Sequence, residues 1–191
     1  MNEIQTVVVG AGVIGLAIAR HLATQGHEVL VLETEHAIGQ HTSSRNSGVI
    51  HAGIYYAPGS DQQRLCLRGK AMLYDYCATR HVGHLACEKL TVAPLGREGE
   101  LQALVDRGAA NGLDDLYLIS GDELREREPA VSGAGAMVSP SSGIVDAPDL
   151  MLSLLGEAEG AGAMLALNAP LLRVRSGADG FILEVGGDET I

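Results

Sequence analysis

The chain has 191 residues, 46% hydrophobic and 19% charged, enough for one domain, or one and a fraction, with a real core. Its 24 Asp plus Glu against 13 Lys plus Arg give a formal net charge of −11, which excludes counterion release on nucleic acid and polybasic adhesion to an anionic membrane. The absence of tryptophan and an aromatic content of 3% exclude a base-stacking platform as well. In chain order, the first element is the apolar run 7–19 (VVVGAGVIGLAIA). It is too short to span a bilayer, and no basic segment precedes it as in a secretory signal. It reads instead as a buried strand at Val7-Val8-Val9 that turns directly into a helix over residues 13–25. Gly26 ends that helix, and residues 27–33 (HEVLVLE) form a second buried strand.

Gly10, Gly12 and Gly15 form G-x-G-x-x-G between strand and helix, the context that a dinucleotide site requires. Gly10 permits a tight turn, Gly12 lets the backbone approach a pyrophosphate, and Gly15 lets helix and strand pack closely. The helix start supplies free N–H groups and positive potential. Glu33 closes the second strand, placed to accept hydrogen bonds from adenosine ribose hydroxyls, which disfavours the 2′-phosphate of NADP. Residues 34–58 (TEHAIGQHTSSRNSGVIHAGIYYAP) then replace the next βαβ unit of a nicotinamide enzyme with a Ser-, Gly- and His-rich segment suited to lining a ligand.

That segment carries a resemblance. His41-Thr42-Ser43-Ser44-Arg45-Asn46-Ser47-Gly48-Val49-Ile50-His51-Ala52-Gly53-Ile54-Tyr55-Tyr56, with Pro58-Gly59-Ser60, is similar to the signature of L-2-hydroxyglutarate dehydrogenases/oxidases in the FAD-dependent, D-amino-acid-oxidase-like superfamily. The resemblance implies FAD, with Thr42 and Ser43 on its phosphates, Thr34 beside the acid, and Ser47, Gly48 and Val49 passing the flavin ring. It implies His51 near ring and substrate, either as the base that takes the hydroxyl proton or as a purely structural hydrogen-bonding group. Arg45 divides between a phosphate or substrate carboxylate and a structural salt bridge, with the structural role preferred. The implied cofactor set is Gly10, Gly12, Val13, Ile14, Gly15, Glu33, Thr34, Thr42, Ser43, Arg45, Asn46, Ser47, Gly48, Val49 and Leu171.

Downstream, Ser60 and Gln63 predict a capping box opening a helix to about Arg80. Cys66 and Cys77 on it read as core thiols, and His81, His84 and Cys87 as loop residues rather than a metal site. A strand over residues 89–94, a helix over 98–110, a short strand over 116–119 and a charged helix over 122–128 follow. Residues 136–138 are strand-like, and Ser141-Ser142-Gly143-Ile144-Val145-Asp146 resembles a stretch at which the superfamily returns to the cofactor domain. Asp146, with Pro148, caps a helix to about Glu159. Residues 164–167 form the superfamily's third parallel strand, and Ala169-Pro170-Leu171 resembles its adenine contact. Residues 172–175 and 181–185 pair as a hairpin, with a third strand starting at Glu189.

The expected fold is α/β: a Rossmann-like FAD-binding domain with a parallel sheet, plus part of a mixed α+β substrate domain. Its segments are 1–58 and 136–191 for the cofactor domain and 59–135 for the insertion. The expected function is oxidation of a 2-hydroxy acid such as L-2-hydroxyglutarate to the 2-oxo acid, with quinone or dioxygen as electron acceptor. The alternatives are an amino-acid or glycerol-3-phosphate oxidoreductase, and a non-catalytic FAD-binding fragment that needs a second chain. An odd cysteine count without CxxC suits the cytoplasm, with attachment to the periphery of the inner membrane left open. Because the resemblance stops short of the family's length, open strand edges predict self-association or dependence on a missing C-terminal half.

Overall fold

The computed structural model describes residues 3–186. In chain order the elements are β1 (Thr6–Val9), α1 (Val13–Thr24), β2 (Val29–Leu32), β3 (Val49–Ile50), α2 (Asp61–Arg80), β4 (His84–Leu85), β5 (Leu90–Ala93) and α3 (Gly99–Ala110). There follow β6 (Tyr117–Ser120), α4 (Gly121–Arg127), β7 (Gly135–Val138), β8 (Gly143–Val145), α5 (Ala147–Gly160), β9 (Met164–Ala166), β10 (Leu171–Ser176) and β11 (Phe181–Val185). The chain divides into two compact units, one of Met1–Asn46 with Asp146–Ile191 and the other of Ser47–Val145. Residues 47–58 and 136–145, expected with the cofactor domain, therefore group with residues 59–135.

The first unit is built on a parallel sheet in the order β1-β2-β9. All four residues of β2 are buried, as a central strand covered on both faces requires. The apolar faces of α1 (Leu16, Ala19, Ala23) and α5 (Leu150, Met151, Leu154, Ala158) are buried, and the two helices pack together. The Arg20 guanidinium meets the Glu157 carboxylate at 2.6 Å on this helix pair. Asp146 caps α5 as expected, its Oδ1 accepting the Asp149 N–H at 3.0 Å. The β10–β11 hairpin sets Leu183 and Val185 against Leu30 and Leu32 of β2. The third strand expected from Glu189 lies outside the described residues.

The second unit holds two antiparallel sheets, β3-β8-β4 and β5-β7-β6. The central strand β7 shows the two-residue period directly. Met137 joins a core with Ala52, Ile54, Ala93, Leu101 and Leu113, whereas Ala136 and Val138 join Ile119 and Leu124 in another. Helix α2 starts at Ser60, whose Oγ accepts the Gln63 N–H at 3.2 Å. The capping box is only half made, because the Gln63 side chain donates to the Asn111 carbonyl at 3.0 Å instead of turning back. A full capping box forms where it was not anticipated, between Ser120 and Glu123 at the start of α4. His84 also departs from its loop assignment: it lies in β4, paired with β8.

Candidate functional site

The glycine-rich turn takes its shape from backbone sterics. Gly10 leaves β1 at φ +98°, a conformation that L side chains rarely adopt, and its N–H is fixed on the Leu32 carbonyl at 2.7 Å. A Cβ on Gly15 would stand 1.9 Å from the Gly10 carbonyl oxygen, so only glycine lets the first turn of α1 lie this close to the strand. Helix α1 has Gly12 as its N-cap and no side-chain cap from that residue. Among the described residues, the amides of Gly12, Ile14 and Gly15 have no partner. A helix start with free N–H groups and no acidic residue in its first turn has the donors and the positive potential that suit an anion.

Ser43 refines the expected picture. Its Oγ accepts the Val13 N–H at 3.1 Å and would be met at 2.9 Å by a Cβ on Gly12. Gly12 thus makes room for the serine as well as for a ligand, and Ser43 keeps its hydroxyl proton free to donate. Thr42, Ser43 and Ser44 form a 3-10 turn, whose carbonyls at Thr42 and Ser43 accept from Asn46 Nδ2 at 3.2 and 2.9 Å. Asn46 therefore shapes the turn. The structural salt bridge preferred for Arg45 is not formed: its side chain is exposed and has no ion pair among the described residues.

Glu33 is 7% exposed, and its carboxylate is held at both oxygens. Oε2 accepts the Ala11 N–H at 2.7 Å and Oε1 the Glu35 N–H at 3.0 Å. The acid is thereby tied to the glycine turn, with its remaining lone pairs available to hydroxyl donors. Thr34 beside it is exposed. The Ala169 N–H reaches the Glu33 carbonyl at 2.8 Å, and Leu171 begins β10 two residues later. Free amides at a helix start, a hydroxyl beside them and a fixed acid at the next strand end fit the diphosphate and ribose of a dinucleotide.

In the second unit, Gly48 has φ +63°, and a Cβ there would approach the Val145 carbonyl oxygen to 2.6 Å. The Val145 N–H returns to the Gly48 carbonyl at 2.8 Å, seating Val49 and Ile50 in β3 against β8. Ser47 and His51 are exposed. The His51 ring has no hydrogen-bond partner among the described residues, while its carbonyl accepts from Cys66 Sγ at 3.5 Å. Burial pushes the Cys66 thiol up against the pull of Lys70, which keeps the sulfur a donor.

Two features here escaped the sequence. Asn111, 2% exposed, sends Nδ2 to the carbonyls of Gly53, Ile54 and Tyr56 at 2.9, 3.3 and 3.1 Å. Tyr55, between the last two, accepts from Lys89 Nζ at 2.9 Å and lies 3.0 Å from Thr91 Oγ1. Only the S-x-x-Q spacing at Ser60 and the helix end before Asn111 pointed near these contacts, and neither names the partners.

Comparison with known proteins agrees with this geometry. The family model described as FAD dependent oxidoreductase matches residues 5–190. The mitochondrial L-2-hydroxyglutarate dehydrogenase of Arabidopsis thaliana is 44% identical over 155 residues, covering 81% of this chain and 32% of that protein. The L-2-hydroxyglutarate dehydrogenase of Salmonella houtenae is 36% identical over 180 residues, 93% of this chain and 42% of that protein. This chain thus spans less than half the length of these relatives. Dithionite-reduced L-alpha-glycerophosphate oxidase from Mycoplasma pneumoniae with FAD bound superposes with a TM-score of 0.93 at 27% identity, over 100% of this chain and 51% of that one. With the dinucleotide-binding turn in place and the family match running through both compact units, the chain belongs to the FAD dependent oxidoreductase family.

Proposed function

We propose that this chain supplies the FAD-binding part of an oxidoreductase that converts a 2-hydroxy acid of the L-2-hydroxyglutarate kind to the 2-oxo acid. The observation that carries the substrate class is the 44% identity to an L-2-hydroxyglutarate dehydrogenase. FAD, when bound, supplies the hydride acceptor. The residues we assign to hold it are Gly10, Gly12, Val13, Ile14, Gly15 and Ser43 at the diphosphate, and Glu33 and Thr34 at the ribose. Leu171 is assigned to the adenine, and Thr42, Arg45, Asn46, Ser47, Gly48 and Val49 to the remaining contacts. His51 is assigned to take the substrate's hydroxyl proton on a ring nitrogen, because an imidazole nitrogen can accept a proton and this exposed ring has no hydrogen-bond partner among the described residues. Quinone or dioxygen would accept the electrons. An odd cysteine count without a CxxC pair supports a reducing compartment, the cytoplasm on composition alone, whereas the Arabidopsis relative is mitochondrial.

The test is the visible spectrum of the purified chain after incubation with FAD. A yellow protein that keeps its flavin through gel filtration is expected; a colourless one overturns the reading. The close superposition on a glycerophosphate oxidase supports a second substrate, glycerol 3-phosphate. Anaerobic bleaching of the flavin by L-2-hydroxyglutarate but not by glycerol 3-phosphate separates the two. In an active form, His51→Ala retains flavin and loses turnover by about 10²–10⁴-fold, the usual range for a general base. Unchanged turnover would remove the proton-transfer role.

A further inference from the structure

We propose that Tyr55, Lys89 and Thr91 form an oxyanion subsite that takes a carboxylate of the substrate, an inference that rests on the 2-hydroxy-acid reading above. Lys89 precedes β5, and its backbone extends the ladder to Ser139 with N–H to carbonyl distances of 3.1 and 2.9 Å. Lys89 and Thr91 are alternate residues of one strand, so their side chains leave the same face. They converge on the Tyr55 hydroxyl at 2.9 and 3.0 Å, with Lys89 Nζ also 4.6 Å from the centre of the Tyr55 ring.

Lys89, like Arg45, is a cation without a countercharge among the described residues. In a chain of net charge −11, Arg64 and Arg125 each close an ion pair on their own helix, and Arg97, in the turn before α3, pairs with Glu100 in its first turn. Lys89, partly buried, meets no carboxylate among the described residues. An ammonium group has three protons, and Tyr55 takes one. The Tyr55 side chain belongs to a residue 41% exposed, so the cluster is open to a ligand. Its backbone is nevertheless fixed, because Asn111 holds the carbonyls of Ile54 and Tyr56 on either side. Burial alone would raise the Tyr55 phenol, but the bonds with Lys89 and Thr91 and the Lys89 charge outweigh it and bring the phenol below its ordinary value. One hydroxyl proton is spent on the bond between Tyr55 and Thr91; the other, with the two remaining ammonium protons, held on a pinned loop and a paired strand, makes the donor set of an oxyanion site. Phosphate shares that chemistry, and the experiment separates the two.

The chain is labelled with carbon-13 at tyrosine Cζ, and Tyr55→Phe identifies the Tyr55 signal among the five tyrosines. Glutarate, a dicarboxylate without the hydroxyl that is oxidised, is titrated against sodium chloride of equal ionic strength, with inorganic phosphate in a parallel arm. Glutarate is expected to move the Tyr55 signal saturably. Lys89→Met weakens this response about tenfold or more, and Thr91→Val weakens it less, with circular dichroism unchanged in both. No movement, equal movement with chloride, or a response to phosphate at lower concentration than to glutarate overturns the proposal. Flavin uptake is read separately from the visible spectrum. A chain that responds to glutarate without taking FAD sinks the flavoenzyme reading and leaves the subsite standing; a yellow chain without the response does the reverse.

Discussion

Gly15→Ala is expected to leave the chain unable to retain flavin and to lower its melting temperature by roughly 6–12 °C, the equivalent of about 3 kcal/mol in a protein of this size. The new Cβ would meet the Gly10 carbonyl oxygen at 1.9 Å, the Gly10 carbonyl carbon at 3.1 Å and Val8 Cγ1 at 3.4 Å. The nearest of these is backbone, and Gly10 cannot retreat without losing its hydrogen bond to Leu32. The helix start must therefore lift from β1, displacing the amides of Ile14 and Gly15. Gly12→Ala gives the contrasting result. Gly12 has φ −80°, which alanine adopts freely, and its Cβ would press on Ser43 Oγ at 2.9 Å, a side chain that can rotate away. That variant keeps its melting temperature within a few degrees yet binds FAD more weakly, because Ser43 leaves the Val13 amide. Thermal unfolding by circular dichroism and flavin retention on gel filtration read both. Equal melting temperatures for Gly15→Ala and the unmodified chain would overturn the steric argument.

These contrasts also mark what the sequence could reveal. The dinucleotide turn was legible because every step in it is local: a β-branched triplet, three glycines at fixed spacing, a helix, a Gly26 stop at φ +86° and an acid. The N-cap at Asp146 was legible for the same reason. Strands β3, β4 and β8 were not read as one sheet, because two or three residues cannot show alternation and only mutual pairing defines them. Gln63 followed the spacing of a capping box, yet its side chain serves Asn111, 48 residues away. The Tyr55 cluster joins residues 34 and 36 apart in sequence, and no local period encodes that. The exposed Arg45 shows a further limit: residue type announces charge but not the partner that neutralises it.

Asn111 bears the other large effect, and Asn111→Ala is expected to destabilise the chain by about 2–3 kcal/mol, a loss of roughly 4–12 °C in melting temperature. Its Nδ2 carries two protons for the three carbonyls of Gly53, Ile54 and Tyr56. The two shorter contacts, 2.9 and 3.1 Å, count as full bonds and the 3.3 Å contact as a shared one. Alanine leaves those oxygens without their donor in a buried site and opens a cavity. One term offsets this: Asn111 Oδ1 is buried with no partner among the described residues, so the native side chain already bears a desolvation cost that alanine removes. Asn111→Asp has no such relief, since it removes the donor and turns a carboxylate toward three carbonyl oxygens. Burial without a countercharge makes it the more damaging of the two despite its nearly identical shape. The consequence reaches the site through the loop, because the pinned carbonyls flank Tyr55 and follow His51 by two to five residues. Hydrogen exchange over residues 52–56 should accelerate in both variants beyond any change in β1 and β2. An Asn111→Ala protein that melts within about 1 °C of the parent and exchanges at the parent's rate in that loop would show that Asn111 does not hold it.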